Sequence, residues 1–427
     1  MKILFIACYS PFINNSAAIE TLQYLNKLSE INNNEVHLLT VDFPKDSIYY
    51  DEALSKMINK NIKIHLVEGG KIFNKLVPRK LKESLDKSSV QSNKSVKKLK
   101  ILRNIKNAVV IPDMYYNWSK KAGELGVKLM EKEKFDVIFS MHEPPSSHLC
   151  ALNIKKKFKD VPWITYWSDP WLKDSTRENS NIIKKSIESR MEKNIVSRAD
   201  KFIFVTEDNR QDYINSYGID KDKTFIITRG FDAKFFEDMK REAKPELIEK
   251  NKVNIIYAGE IFSKLRNIRP FIQAVEEIKV EKPEIYKKMN ILFFGNIDDA
   301  EAKEKLESLE AAKVSKRIPF NEAIKYMLNS EVLLLFGNKN SKQIPAKIYE
   351  YFGAEGKIFV IYGDEKDPIR KLTEKHDRCI NSLNFKDEIK EQLLKLMSKD
   401  KKELMGKADY KYEWNSIVDR LNKILEV

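Results

Sequence analysis

Val253-Asn254-Ile255-Ile256-Tyr257-Ala258-Gly259 is a short apolar run closed by a glycine, and it reads as the opening strand of a second sheet. Before it, residues 244–252 are polar and contain Pro245, which suits a linker or surface turn. On the amino-terminal side, apolar runs at 2–8, 36–41, 62–67, 136–141, 162–167, 202–206 and 224–228 alternate with stretches of helical spacing at 17–30, 118–132, 147–158 and 186–197. On the carboxyl-terminal side the same rhythm resumes at 290–294, 332–336 and 358–362. Near-continuous apolar strands with helices between them make parallel sheets covered on both faces. The chain is therefore expected to be α/β, with two doubly wound, Rossmann-like domains at 1–228 and 229–409 and a ligand cleft outside the carboxyl ends of the strands. The last segment, 410–427, reads as one amphipathic helix with Trp414, Ile417, Leu421 and Ile424 on one face, and it is expected to complete the first domain.

Composition narrows the class. The 427 residues include 77 Lys and Arg against 63 Asp and Glu, a net charge of +14, and 42% are hydrophobic. That apolar fraction suffices for sizeable cores and argues against a disordered chain. The positive balance favours an anionic partner. Three cysteines, Cys8, Cys150 and Cys379, show no metal spacing and suit a reducing, cytosolic compartment. No run of about 18 apolar residues occurs, so no spanning helix is expected. The first apolar run is too short for a signal-peptide core and reads as the first strand of a mature protein.

Much of the excess charge lies in one insertion, 71–106, which holds twelve basic and two acidic residues. Val96, Leu99, Leu102 and Ile105, with Val109 just beyond the segment, recur at helical spacing among lysines. Such a helix can lie on an anionic membrane surface, or its apolar stripe can pack on the domain and leave a solvated charged face. Nucleic acid is not an expected partner, because no aromatic interleaving or recognised module accompanies the charge.

The stretch most telling for chemistry is Gln343-Ile344-Pro345-Ala346-Lys347-Ile348-Tyr349-Glu350-Tyr351-Phe352-Gly353-Ala354-Glu355-Gly356-Lys357-Ile358, which follows the strand at 332–336. Pro345 is placed to open a helix, whose free N–H groups favour phosphate. Lys347 adds a positive charge in the first turn, and Glu350 lies one turn on, where a carboxylate can accept hydrogen bonds from ribose hydroxyls.

The pattern P-x-K-x-x-E-Y formed by these residues resembles the donor-binding motif of GT-B glycosyltransferases, in particular the retaining glycosyltransferase family 4. The resemblance implies that Glu350 binds the ribose of a nucleotide sugar, with Lys347 near the diphosphate. Gly259 and Arg266 match the opening of the family's donor domain, where a basic residue faces the diphosphate. The family's other basic residue, just after the glycine, is Glu260 here, with Lys264 able to compensate. The family's first glutamate, eight positions before Glu350, is replaced by Lys342; Gln343 or the backbone amides of 341–344 are expected to take its place.

Further matches follow in family order. Ser16 and Ala17 stand where the family's loop after the first strand has glycines, bordering acceptor and donor phosphate. Met141-His142-Glu143-Pro144-Pro145-Ser146-Ser147-His148 is similar to the family's P-P-x-S-S-H segment, with Ser146 or Ser147 suited to cap the next helix. Ser168-Asp169-Pro170-Trp171 is similar to R-D-P-W. By this resemblance His142 donates to the transferred sugar, and Asp169 positions the acceptor hydroxyl or a basic partner. Thr228-Arg229-Gly230-Phe231-Asp232 resembles the family's interdomain turn.

The implied activity is retaining, metal-independent transfer of a hexosyl or N-acetylhexosaminyl group from a nucleoside-diphosphate sugar to an acceptor hydroxyl. The implied setting is bacterial cell-surface polysaccharide assembly, with a saccharide or lipid-linked saccharide acceptor at the inner face of the membrane. No cofactor is expected beyond the nucleotide sugar as co-substrate. A nucleotide-sugar epimerase of the same fold, or an inactive nucleotide-sugar-binding subunit, is the alternative. Asp220-Lys221-Asp222 mimics a metal motif but sits in a polar turn; His142 and His148 lack a third ligand at zinc spacing; and no phosphate-binding glycine fingerprint of ATPases or NAD enzymes occurs.

Overall fold

A computed structural model describes residues 1–80, 110–173, 181–340 and 343–426. The chain divides into two compact units, Met1–Ile227 with Val418–Val427, and Thr228–Ile417. The first unit is built on seven parallel strands: β1 (Lys2–Ala7), β2 (Glu35–Asp42), β3 (Lys63–Glu68), β4 (Val137–His142), β5 (Trp163–Trp167), β6 (Lys201–Phe204) and β7 (Thr224–Ile226). Their spatial order is β3-β2-β1-β4-β5-β6-β7. The order reverses between β1 and β4, so the exits of these two neighbours open a crevice at the carboxyl edge.

Register across that junction pairs Ile3 with Val137 and Ile6 with Ser140. Phe5 and Phe139 meet edge to face at 5.0 Å, and both are fully buried. Central strands buried on both faces need apolar residues at every position, which is why they read as unbroken runs. The helices Tyr116–Lys132 and Ser146–Lys157 pack closely at Gly126, where a Cβ would lie 2.3 Å from the Ile154 side chain.

The second unit repeats the plan with β8 (Val253–Ala258), β9 (Met289–Phe294), β10 (Ala312–Ser315), β11 (Val332–Phe336), β12 (Lys357–Tyr362) and β13 (Cys379–Leu383), in the order β10-β9-β8-β11-β12-β13. Strands β10 and β13 were not among the expected runs. Both are edge strands with half-exposed side chains, so they carry no continuous apolar signature. The switch point here lies between β8 and β11, which pair at Val332–Ile255 and Leu333–Ile256.

The C-terminal segment differs from the single helix expected from Tyr410. Asp409 caps a short 3₁₀ turn, Tyr410–Tyr412, and the α-helix starts at Trp414 and ends at Leu425. Its buried stripe is Trp414, Ile417, Val418, Leu421 and Leu425, with Ile424 half-buried. Within the first unit, Asn34 bonds Asn422 at 2.9 Å and Lys201 donates to the Ile424 carbonyl at 2.9 Å, so the last turns are held against that sheet.

Candidate functional site

The donor-side candidates gather at the exits of β8 and β11. Gly259 follows β8 and donates to the Phe294 carbonyl at 2.8 Å. Gly295, at φ 140°, lies so close that a Cβ there would meet the Gly259 carbonyl oxygen at 2.0 Å. Only glycine permits both that conformation and that approach. The next loop turns back to present Arg266, whose guanidinium is fixed by protein acceptors. Its Nη1 donates to the Glu260 carbonyl (2.9 Å) and the Tyr257 hydroxyl (3.3 Å), and its Nε donates to Asn338 Oδ1 (2.9 Å).

From β11 the chain passes Gly337 and Asn338 and reaches Gln343, half-buried Ile344 and buried Pro345. The helix that follows spans Lys347–Gly353, so Pro345 stands just outside it rather than opening it. The Pro345 and Ala346 carbonyls accept the Ile348 and Tyr349 amides at 3.2 and 3.1 Å, which makes a turn ahead of the regular helix. Lys347 Nζ and Glu350 Oε2 pair at 2.6 Å, one turn apart. Both side chains remain partly accessible, 24% and 16%. A cation and a carboxylate that satisfy each other in the unliganded state can each be released to a ligand of opposite need.

The helix is anchored at its far end. Arg378, 4% exposed, donates to the carbonyls of Ala354 (2.8 Å), Gly356 (2.9 Å), Tyr351 (3.1 Å) and Phe352 (2.9 Å). Burial lowers the pKa of this guanidinium, but a positive charge at a helix C-terminus meets the carbonyl ends it favours. Tyr351 Oη bonds the Leu334 carbonyl of β11 at 3.1 Å, and Phe352 stacks on Tyr412 at 4.5 Å.

Sequence reasoning missed Asn338, Asp367, Arg317 and Arg378, because their roles depend on neighbours distant in the chain. Asp367 is 2% exposed and accepts the amides of Gly363 (2.9 Å) and Ile369 (3.1 Å). Burial pushes its carboxyl up to about 6. A Cβ at Gly337 would lie 1.9 Å from its Oδ2, so the exits of β11 and β12 close on this one group. Arg317, beyond β10, lies 3.4 Å from Glu260, the residue that stands in place of a cation. Lys264, expected to compensate there, is exposed.

In the first unit the candidates stand at the exits of β1, β4 and β5. Ser16 and Ala17 are the first two residues of the helix Ser16–Glu30, and the cap is Asn15, whose Oδ1 accepts the Ala18 amide at 2.7 Å. Ser16 is exposed and Ala17 half-buried. His142 ends β4 with 2% exposure, its ring stacked on His148 (5.8 Å) and Trp167 (5.5 Å). His148 bonds Ser140 Oγ at 2.8 Å, and burial lowers its pKa to about 3, so it is a neutral core ring.

Half-buried Asp169 follows β5 by two residues, and His142 pairs in register with Trp167. Ser168, found where the family motif has arginine, donates its hydroxyl to the His142 carbonyl at 2.7 Å and ties these two exits together. The serines expected to cap the helix Ser146–Lys157 serve other partners: Ser146 bonds Asp113 (2.7 Å), and Ser147 Oγ accepts the Cys8 amide (2.9 Å). The loop after β1 and the loop before the helix Tyr116–Lys132 take these hydroxyls, and the helix start at Pro145 has no side-chain cap.

Other sequence features resolve simply. Asp220 and Asp222 are exposed, and Asp220 Oδ1 accepts the Asp222 amide at 3.0 Å in a short turn. Among the described residues, Glu35, His37 and Glu133 form a cluster of metal-ligand type. Lys2 lies 3.1 Å from Glu35 and 2.8 Å from Glu133, and Lys63 lies 2.5 Å from Glu35, so ammonium groups already meet both carboxylates. Of the basic insertion 71–106, residues 81–106 lie outside the described residues. No described helix is long and apolar enough to cross a membrane.

Two doubly wound parallel sheets, each with candidate residues at its switch-point exits, define a GT-B fold. Residues 93–235 match the model described as Glycosyltransferase Family 4. A solved glycosyltransferase from Rickettsia africae ESF-5 is similar over 100% of this chain and 97% of its own, at 13% identity and TM-score 0.61. An E. coli trehalose-6-phosphate protein bound to UDP-2-fluoro glucose is similar over 100% and 99%, at 10% identity and TM-score 0.64. A Listeria monocytogenes protein assigned as a UDP-N-acetylglucosamine 2-epimerase is similar over 100% and 95%, at 11% identity and TM-score 0.60. At these identities the likeness is one of fold. A curated relative, the small ribosomal subunit protein uS4c of Stigeoclonium helveticum, is 30% identical over 146 residues, 33% of this chain but 5% of that protein's length.

Proposed function

We propose that this protein is a glycosyltransferase that moves a sugar from a nucleoside-diphosphate sugar to an acceptor hydroxyl. The observation that carries the reading is the gathering of Arg266, Lys347 and Glu350 on the exits of the paired strands β8 and β11. On donor entry the Lys347–Glu350 pair is exchanged: ribose hydroxyls bond Glu350, and the diphosphate takes Lys347. As the bond between the sugar's anomeric carbon and the diphosphate oxygen breaks, negative charge builds on the leaving group. Arg266 and Lys347 stabilise it there, the kind of electrostatic effect that dominates such catalysis.

On the acceptor side, Asp169 positions the hydroxyl and His142 donates to the transferred sugar from beneath. Ser16 and Ala17 border the acceptor and the phosphate. A leaving-group phosphate oxygen takes the hydroxyl proton, and the new glycosidic bond forms on the face the diphosphate vacates, with retention of configuration and no metal. The acceptor is a saccharide or lipid-linked saccharide of cell-surface polysaccharide assembly, and the basic segment 71–106 meets an anionic membrane surface.

A thermal-shift screen of UDP-, GDP- and dTDP-sugars, followed by turnover with the stabilising donor, tests this reading. Glu350→Ala is expected to weaken donor binding by about 10- to 100-fold, the worth of hydrogen bonds to a charged group. Unchanged affinity and turnover in that variant would remove the assignment. The similarity to the Listeria protein keeps an epimerase as the second reading. It predicts conversion of the nucleotide sugar with no acceptor present.

A further inference from the structure

Asn338 lies two residues beyond β11, is 3% exposed and belongs to none of the sequence motifs. Both ends of its amide are in use. Oδ1 accepts from Arg266 Nε at 2.9 Å, and Nδ2 donates to the Gln343 carbonyl at 3.1 Å. A guanidinium only donates and a carbonyl only accepts, so the partners leave one orientation for the amide. The backbone makes the same connection: the Lys339 amide donates to the Leu265 carbonyl at 2.9 Å.

Arg266 is held along one edge, with Nε on Asn338 and Nη1 on the Glu260 carbonyl and Tyr257 hydroxyl. No bond among the described residues uses Nη2. A planar fork pinned along one edge points the other in a set direction, and that edge suits a phosphate oxygen. Without its Nε acceptor the plane is free to rotate about the side chain. The half-buried Gln343 carbonyl would lose this donor at the same time.

We propose that Asn338 is a positioning residue that sets the Arg266 guanidinium and the Gln343–Ile344 backbone against the donor's diphosphate as one unit. The inference rests on the glycosyltransferase reading and adds to it a residue that never touches the substrate. It predicts that Asn338 matters for the diphosphate and not for the nucleoside. It also predicts that its contribution passes through Arg266.

The experiment uses the full-length chain with UDP, GDP and dTDP, and with uridine, guanosine and thymidine. Affinities are read by calorimetry, and by ligand-observed NMR where binding is weak. Asn338→Ala is expected to weaken the bound diphosphate about 10-fold, and its nucleoside by less than about 2-fold. Arg266→Ala with Asn338→Ala is expected to bind within about 2-fold of Arg266→Ala alone, because coupled residues do not add. Asn338→Asp keeps the side-chain volume and an acceptor for Nε, but its charge offsets that of the guanidinium and repels the Gln343 carbonyl. It should therefore lose at least as much diphosphate affinity with little change in melting temperature. Equal losses for diphosphate and nucleoside, additive effects with Arg266→Ala, or wild-type affinity in Asn338→Asp would overturn the proposal. If the wild-type protein binds none of the three diphosphates, the glycosyltransferase reading itself fails and this inference falls with it.

Discussion

The exits of β8 and β11 and the exits of β4 and β5 both lie at the carboxyl edges of sheets built on the same plan, yet they are made of opposite materials. In the second unit the groups are charged and partly accessible: Lys347 faces Glu350, and Arg266 rests on carbonyl, hydroxyl and amide oxygens. In the first unit the centre is an aromatic stack of His142, His148 and Trp167, sealed from solvent, with Asp169 at its rim. An accessible ion pair beside a held guanidinium suits a ligand that brings its own charge. A buried aromatic floor suits one that is mostly hydroxyl and ring. The two sets of exits thus differ in chemistry while sharing an architecture.

The largest effect that would strain this contrast is expected at Arg378. Arg378→Ala leaves four buried carbonyls without their common donor and is expected to cost about 3–4 kcal/mol. The loss should appear by hydrogen exchange in the peptides covering 347–356, with the first unit's exchange unchanged. If those peptides keep their protection, the helix carrying Lys347 and Glu350 is held by packing on Tyr412 instead.

His142→Ala tests the other side. Turnover is expected to fall about 100-fold, the scale of one lost transition-state donor, while the KM for the donor stays within about 2-fold. A change in donor KM with little change in kcat would place His142 on the nucleotide rather than on the acceptor side.

The smallest effects are those of pH, and the two units should show opposite signs. Asp367 in the second unit is raised to about 6, so the folded state holds its proton more tightly than the unfolded chain. Its contribution to stability is greatest at low pH and is lost as pH rises from about 4 to about 6, by on the order of 2 kcal/mol. Glu35 in the first unit is lowered to about 2, first by its bond to Lys63 and then by His37. Its contribution is present above about 4.5 and is lost as pH falls toward 2; at 37% exposure, solvent screening limits it to about 1 kcal/mol or less. Urea unfolding with segment-resolved hydrogen exchange should show the first slope removed by Asp367→Asn and the second by Glu35→Gln. A shared slope in both variants would mean that the units respond to pH through other groups.

Much of the plan is legible in the residue order alone. Strands such as Val332–Phe336 and Lys357–Tyr362 announce themselves, because burial on both faces demands an apolar residue at every position. The helix carrying Lys347 and Glu350 was found through a local spacing, three residues on one face. Edge strands β10 and β13 were not, since half-solvated strands share their composition with loops. The helix caps were misread for a related reason. Ser146 and Ser147, expected to cap the helix Ser146–Lys157, are drawn to Asp113 and Cys8 on other loops.

What residue order carried was everything with a short period: apolar runs, helical stripes, a lysine and a glutamate one turn apart. What it did not carry was partnership over long separations. That Asn338 would bridge Arg266 and Gln343, that Arg378 would gather four carbonyls from the turn after Tyr351, and that Arg317 would meet Glu260 all required the chain to fold first. A hydrogen bond depends on ångström-scale distance and direction, and a sheet built by crossover connections brings together exits tens of residues apart.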